Sequence, residues 1–439
     1  MENNNQLDQE LEETRKEVES MIAEMRMRQE SHDVDENISG NSWMKPSNIT
    51  RRKDVVFTEE EQKLFDYISN RINELAIGRC RGDFLERDLN VSSIYITLPD
   101  ELRDELLQHT ITYKDGRRFK YRGKQQCILR YLAYEEDYPS EISDEILNCI
   151  YILQNPSKSL NSDNKVVVEG VLEGLVNYNW NGADRIFIKS LKEIKKAMDS
   201  IVGQESAVEQ LLKCYNILSH THKTGPHVIR IKADAGMGVD TLVKTFAGAI
   251  GRYSEISCQN LGLDPEVTAG SSRIYCNSTP GELGEAIINN EVQTIIMKNV
   301  NDADDRNIAR LSAFFENTFV DNYYRVRVPG DVLVICTESS SGKKTPEYLF
   351  RDAYTIELTE YSEDECKRIV DSMIERFKTE FGLELSFDES ALKKVAESKS
   401  PKAIHKMLLD VFSDISFSNE MSSEDCITNK KTITVDDFK

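Results

Sequence analysis

The second half of this sequence predicts a three-layer α/β sandwich, followed by a helical lid and preceded by a small helix-rich domain. Two observations carry that prediction. From about residue 200 onward, short apolar runs alternate with amphipathic helix patterns, the arrangement of a mainly parallel sheet covered on both faces. Within that alternation the stretch Val228 to Ala249 reads VIRIKADAGMGVDTLVKTFAGA: a strand pattern to Ile231, a turn of small residues, and an amphipathic helix from near Asp240. This is the outline of a phosphate-binding loop, usually GxxxxGK[ST], whose lysine meets the phosphates and whose hydroxyl meets Mg²⁺.

Composition bounds the alternatives. A chain of 439 residues, 39% hydrophobic and 30% charged, has length for two or three domains with real cores and is not wholly disordered. A formal net charge of -21 argues against broad affinity for phosphate backbones or anionic membranes and favours basic partners. The 9 cysteines stand singly at 80, 127, 149, 214, 258, 276, 336, 366 and 426, without a CxxC, as reduced thiols of an intracellular protein would. The start MENNNQLDQE lacks the basic and apolar regions of a signal peptide, and no window approaches about 18 uninterrupted apolar residues, so a cytoplasmic location is expected.

In chain order, residues 1–32 carry Leu7, Leu11, Thr14, Val18, Met21 and Met25 at steps of four and three, a helix with a short coiled-coil seam. Residues 33–55 are polar and broken by Gly40 and Pro46, as a linker is. Residues 56–198 read as the helix-rich domain. Thr58 with Glu61 forms a capping-box pattern, and Leu64, Phe65, Ile68, Ile72 and Leu75 supply a buried stripe. Ile94, Ile96 and Leu98 alternate with small or polar residues, which is the period of a strand, and Pro99 precedes a helix pattern. TYKDGRRFKY, Thr112 to Tyr121, has Asp115-Gly116 between two short runs and predicts a hairpin. Arg117, Arg118, Lys120, Arg122 and Lys124 then make a basic cluster interleaved with Phe119 and Tyr121. That leaves open a nucleic-acid surface, a solvated strand face or a protein contact. Cys127–Leu132, Ile146–Leu153, Val166–Val176 and Phe187–Met198 read as helices.

Residues 199–355 follow as the α/β subdomain and 356–439 as the lid. Further strands are predicted around Ser254–Ser257, Val292–Met297, Val332–Cys336 and Ile356–Leu358. Several motifs in this region occur in register with those of a known family. Arg273-Ile-Tyr275-Cys-Asn277-Ser-Thr-Pro280-Gly281 follows the glycine turn, then Asn317-Thr-Phe-Val-Asp321-Asn-Tyr323, Ile335-Cys-Thr-Glu-Ser339, and Ile356-Glu-Leu-Thr-Glu-Tyr361. From about residue 199 to the end, the chain resembles the AAA+ module of Lon proteases. The resemblance implies a P-loop NTPase fold with a C-terminal helical lid.

The departures from the family pattern fall on the chemistry. The glycine window is Ala233-Asp-Ala-Gly236-Met-Gly238-Val239-Asp240, so the family's lysine is Val239 and its threonine Asp240. The family's acidic pair falls on Lys298 and Asn299, its sensor asparagine on Ser339 and its lid sensor arginine on Lys402; its arginine near the start of the lid falls on Asp352, with Arg351 beside it. Gly203, Gly236 and Gly238 remain. Since ATP hydrolysis needs charge stabilisation, a Mg²⁺ anchor and a water-orienting acid, the resemblance implies a degenerate nucleotide site without catalytic residues, cofactor or metal. Two arrangements are open for Lys298 and Asp240: Lys298 turning inward from the strand end to pair with Asp240, or both side chains facing solvent, where a surface pair is worth only about 0–1 kcal/mol. Tyr275 and Cys276 fall at the position of the family's pore loop, which the resemblance implies is a substrate-gripping loop if a ring forms and otherwise an exposed loop aromatic; Asp321 and Tyr323 are read as structural. The histidines at 32, 109, 220, 222, 227 and 405 form no ligand pattern. The family's proteolytic domain is not expected within a sequence ending at Lys439.

The expected function is therefore that of a non-catalytic pseudo-ATPase acting as an interaction, adaptor or assembly module. Its expected partner is a protein, either a second copy or an active AAA+ subunit. One alternative is a diverged AAA+ protein that binds ATP and Mg²⁺ and hydrolyses slowly or within a mixed ring. A second is nucleic-acid binding through the basic hairpin.

Overall fold

The computed structural model describes residues 56–78, 89–111, 113–114, 117–154, 162–181, 188–221, 225–259, 261, 265–275, 277–383, 385–421, 432–435 and 438. The seam at Leu7 to Met25, the linker, Asp115-Gly116 and Cys276 lie outside these residues.

The helix-rich segment opens with α1 (Glu59–Gly78), in which Phe65, Ile68 and Ile72 are buried at helical spacing. One sequence expectation is corrected next: Ile94 and Ile96 lie not in a strand but in helix α2 (Val91–Thr97). The Asn90 side chain caps its start by accepting the Ser93 N–H, and the residues that go inside are Val91, Ile94, Tyr95 and Leu98. Their spacing of three, one and three is helical, and the apparent alternation omitted Val91 and Tyr95. Helix α3 (Asp100–Gln108) leads to the hairpin β1 (Tyr113–Lys114) and β2 (Arg117–Arg118), where Tyr113 pairs with Arg118. Then follow α4 (Gly123–Ala133), α5 (Ser140–Gln154), α6 (Ser162–Asn177) and α7 (Leu191–Met198), the last begun by a Ser190/Glu193 capping box.

The α/β region begins with α8 (Glu205–Leu218). Strand β3 (His227–Ala233) feeds α9 (Val239–Ile250), then β4 (Tyr253–Ser257), α10 (Pro265–Ala269) and a short turn, α11 (Glu282–Gly284), which continues as a π-turn over Glu285–Asn289. After β5 (Thr294–Lys298) come α12 (Asp305–Phe315), β6 (Leu333–Ser339) and β7 (Tyr354–Glu357). The five strands form one parallel sheet in the order β4-β5-β6-β3-β7. Burial explains why the inner strands β5 and β6 read as nearly continuous apolar runs, while the edge strands β4 and β7 do not. Ile229, Ile231, Ile296 and Ile335 pack under Leu211, Leu242 and Phe246 of the helices on one face. Their alternating neighbours Ile295, Met297, Val334 and Cys336 are fully buried toward the other.

Chain order and spatial order part at β3. The chain leaves β3 for the far edge, returns through β5 and β6, and places β7 on the other side of β3. Loops from the carboxyl ends of β3, β5 and β6 consequently gather at a switch point, where open α/β sheets leave a crevice. The C-terminal helices are α13 (Glu363–Phe381), α14 (Glu389–Ala396) and α15 (Pro401–Met421), with a parallel pair β8 (Ser386–Phe387) and β9 (Thr432–Ile433). Their core of Phe377, Leu408, Phe412 and Ile433 also includes Met237 of the glycine turn.

The helix-rich segment packs directly on the sheet region. Arg273 pairs with Glu145 of α5 at 2.6 Å and donates to the Tyr324 carbonyl at 3.1 Å. Tyr323 donates its hydroxyl to the Val167 carbonyl of α6 at 3.2 Å. Gly174 faces this contact, where an added Cβ would stand 2.7 Å from the Tyr324 ring. No helix among the described residues is long and apolar enough to cross a membrane.

Candidate functional site

Strand β3 ends at Ala233, whose carbonyl accepts the Ser340 N–H at 3.1 Å beside the paired residue Ser339. The chain then turns through Gly236 at φ +91° and Gly238 at φ +73°, a left-handed backbone that strains any residue with a Cβ. This sharp turn aims the start of α9 back over the sheet, as the glycines in the sequence required. What lies against the turn is the chain's own C-terminal region. The Lys402 N–H reaches the Gly236 carbonyl at 3.4 Å, and a Cβ on Gly236 would come within 2.7 Å of the Ser400 hydroxyl. Tyr361 donates its hydroxyl to the Met237 carbonyl at 2.9 Å. On its other side the ring meets Gly203, at φ +78°, where a Cβ would stand 2.7 Å from Cε1. Burial pushes the Tyr361 phenol up to about 12, so it stays a neutral donor at physiological pH. The cleft left between Val202, Gln204, Met237, Thr241, Tyr361 and Met373 is about 210 Å³. Small-molecule sites commonly occupy roughly 300–1,000 Å³.

The charges beside the turn are paired internally. Val239 packs into both the sheet core and the C-terminal core, so this position contributes apolar area. Asp240, in the first turn of α9, accepts from Lys298 Nζ at 3.1 Å, with the Asp240 side chain still largely exposed. Lys298, ending β5, also reaches Glu255 of β4 at 2.5 Å, and Glu255 meets Lys244 of α9 at 2.8 Å. Partial burial disfavours the Lys298 charge, but hydrogen bonds to Glu255 and Asp240 outweigh it and hold this ammonium above the ordinary lysine range. Glu255, likewise desolvated, is held below the ordinary glutamate range by Lys244 and Lys298. Asn299, at φ +53°, donates its backbone N–H to Thr337 Oγ1 at 3.2 Å. The Ser339 N–H goes to Asn301 Oδ1 at 3.2 Å, and its hydroxyl lies 3.0 Å from that of Ser341. The ends of β5 and β6 thus bind each other through polar groups, with an ammonium and an amide at positions 298 and 299.

No family model matches the sequence. Among curated proteins the chain is 22% identical over 331 residues to the Lon protease of Mycoplasma pneumoniae, a match covering 72% of this chain and 38% of that one. It is 25% identical over 244 residues to the Lon protease of Escherichia coli, covering 52% and 30% respectively. Against the Lon protease of Buchnera aphidicola the figures are 25% over 212 residues, 45% and 27%. The chain is a distant relative of Lon proteases. It spans between 27% and 38% of the length of these curated relatives.

Other residues singled out in the Lon-related sequence fall elsewhere. Arg351 follows a 3-10 turn (Glu347–Phe350) and precedes β7, near Val228 at the amino ends of the strands. Within one chain it sits at the amino ends of the strands, opposite the carboxyl end of β3 that leads to Gly236 and Gly238. Tyr275 is half exposed beside exposed Ile274, on a turn tied down by Ser278 Oγ to the Tyr275 carbonyl at 2.6 Å. Asp321 is fully buried and accepts N–H groups from Tyr323 at 2.8 Å, Tyr324 at 3.0 Å and Gly281 at 3.0 Å. Desolvation exceeds the effect of these donors and pushes its carboxyl up to about 6. Among the described residues, no group of three or more His, Cys, Asp or Glu side chains is placed to hold a metal ion.

Sequence reasoning missed two features. Glu255 was unmarked because it reaches Lys298 across the β4–β5 ladder, where no local pattern records it. The basic cluster was marked, but part of it is internal. Arg118 pairs with Glu105 at 2.9 Å and donates to the Asn177 carbonyl, both inside the fold. Tyr121 is fully buried and donates to the Leu102 carbonyl at 3.2 Å.

Proposed function

We propose that this Lon-related chain is a non-catalytic AAA+ module, a pseudo-ATPase that serves as a protein-interaction, adaptor or assembly component. The observation that carries this reading is the ion-pair chain Asp240–Lys298–Glu255–Lys244 beside the glycine turn. It supports the reading for a physical reason. A triphosphate at the turn needs a mobile cation and a coordinated Mg²⁺. Here Val239 offers no charge, Asp234 and Asp240 add two carboxylates, and the nearby ammonium is already engaged. Like charges at such range remain costly after screening.

The three C-terminal helices are read as the AAA+ lid. Ser400, Lys402 and Tyr361 rest on the turn through the chain's own contacts, which fits a module whose lid and turn hold each other in place. The chain's acidity supports a protein partner with a basic surface. The nucleic-acid reading of the hairpin loses support from the burial of Arg118 and Tyr121, since single-strand recognition uses exposed aromatic faces and cations.

Calorimetric titration with ATP and Mg²⁺, combined with a mass measurement on the same sample, tests this proposal. We expect no turnover and no ATP heat that depends on Lys298. ATP affinity that Lys298→Ala abolishes, or phosphate release above background, would overturn it in favour of a diverged, nucleotide-using AAA+ protein.

A further inference from the structure

A groove of about 960 Å³ runs between the residues following the hairpin and the edge strand β4, well away from the glycine turn. Its size falls in the range of small-molecule sites, roughly 300–1,000 Å³. One lining residue is unusual in three respects. The Glu291 side chain is 2% exposed, yet neither carboxylate oxygen has a hydrogen-bond partner. Its nearest cations, Arg118 at 3.8 Å and Arg252 at 4.0 Å, stand beyond hydrogen-bond reach. Its φ is +47°, left-handed for a residue with a Cβ, and it lies just after the π-turn Glu285–Asn289. A buried carboxylate without donors and a strained backbone each cost free energy, and such features concentrate where a ligand is bound.

The rest of the lining indicates the ligand. Arg122, Lys120, whose ammonium donates to the Asn289 carbonyl, and Arg252, which donates to the Glu291 carbonyl at 3.1 Å, bring positive charge to this groove on a chain whose net charge is -21. Arginine forks match phosphate oxygens in pairs. Phe119 and Tyr253 add aromatic surface. An anion alone would leave Glu291 unsatisfied and repelled, so the ligand must also carry N–H or O–H donors. Carboxylates meet ribose hydroxyls in this way in dinucleotide folds.

We propose that this groove binds a nucleoside monophosphate, its phosphate held by Arg122 and Arg252 and its sugar hydroxyls or base N–H groups donating to Glu291. The site is independent of the glycine turn, and its occupation by nucleotide implies no hydrolysis.

Titration calorimetry of the full chain with GMP, AMP and inorganic phosphate tests the assignment. We expect at least one nucleotide to bind about tenfold or more tighter than phosphate, since a set of buried hydrogen bonds is worth at least that factor, with affinity falling as salt rises. Arg122→Ala and Arg252→Ala should each weaken the nucleotide about tenfold. Glu291→Gln should weaken the nucleotide without weakening inorganic phosphate. Arg122 is exposed, so its variant tests the site without endangering the fold. Lys298→Ala, at the glycine turn, should leave the affinity unchanged. Absence of binding by all three probes, or binding indifferent to both arginine variants, would overturn the assignment. Binding lost in Lys298→Ala would move the nucleotide to the glycine turn and overturn the pseudo-ATPase proposal as well. Binding of an oligoribonucleotide where no mononucleotide binds would replace the pocket by a nucleic-acid surface.

Discussion

Lys298 Nζ lies 3.1 Å from Asp240 Oδ1, joining the end of β5 to the first turn of the helix that follows the glycine turn. The same ammonium meets Glu255 at 2.5 Å, so three elements are held by one cation. Asp240 is largely exposed, whereas Glu255 is about one-third exposed, so the Glu255 contact should contribute more.

Lys298→Met should therefore lower stability by about 1 kcal/mol, measured by urea unfolding at neutral pH. The pH dependence has a definite sign. Glu255 has a depressed folded pKa, so its contribution is present above the ordinary glutamate value of about 4.3 and is lost as pH falls through the folded value. Lys298 has a raised one, so its contribution is present below about 10.4 and is lost as pH rises through the folded value. The wild-type advantage over Lys298→Met should be flat between these limits and shrink outside them.

Millimolar ATP with Mg²⁺ should not stabilise the glycine-turn region, because a ligand raises the melting temperature only by preferring the folded state. Val239→Lys alone should not create ATPase activity, since Lys298 and Asn299 still leave metal and water unmanaged. A melting rise that survives Arg122→Ala and Arg252→Ala but vanishes in Lys298→Ala would contradict this expectation, as would turnover by the single variant.

Asp321→Asn should destabilise the protein by roughly 1–3 kcal/mol despite removing a buried charge. An amide nitrogen would face at least one of the N–H donors that the carboxylate now accepts. Asp321 has a raised folded pKa of about 6, so between the ordinary aspartate value of about 3.9 and the folded value the native state binds more protons than the unfolded one. Its contribution to stability accordingly falls as pH rises through that window and levels off above it. Urea unfolding of both proteins from acidic to neutral pH should show the wild-type advantage narrowing across the window.

Arg273→Met should cost about 3 kcal/mol, because it leaves Glu145 mostly buried beside an apolar side chain. The double change Arg273→Met with Glu145→Leu should recover a large part of that loss. Equal stability of single and double variants in calorimetric melts would mean that the pair carries no coupling.

The sequence by itself determined the local pieces: β3, its glycine turn and α9, the parallel strands buried on both faces, and the helices around them. Each is written in periodicity within a dozen residues or in a glycine whose left-handed φ only glycine adopts freely. It also singled out Val239, Asp240, Lys298 and Asn299, which the fold brings to the glycine turn and the end of the neighbouring strand. Only the tertiary structure decided which charges are spent inside the fold. Arg118 looked like part of a surface until Glu105 and the Asn177 carbonyl enclosed it. Glu255 and Lys298 meet through a strand ladder, and Glu291 is left buried at the border of two segments distant in sequence. The energy of an ionisable group depends on its neighbours in space and on how much water they exclude, and those neighbours are assigned by packing across the chain rather than by the residues beside it.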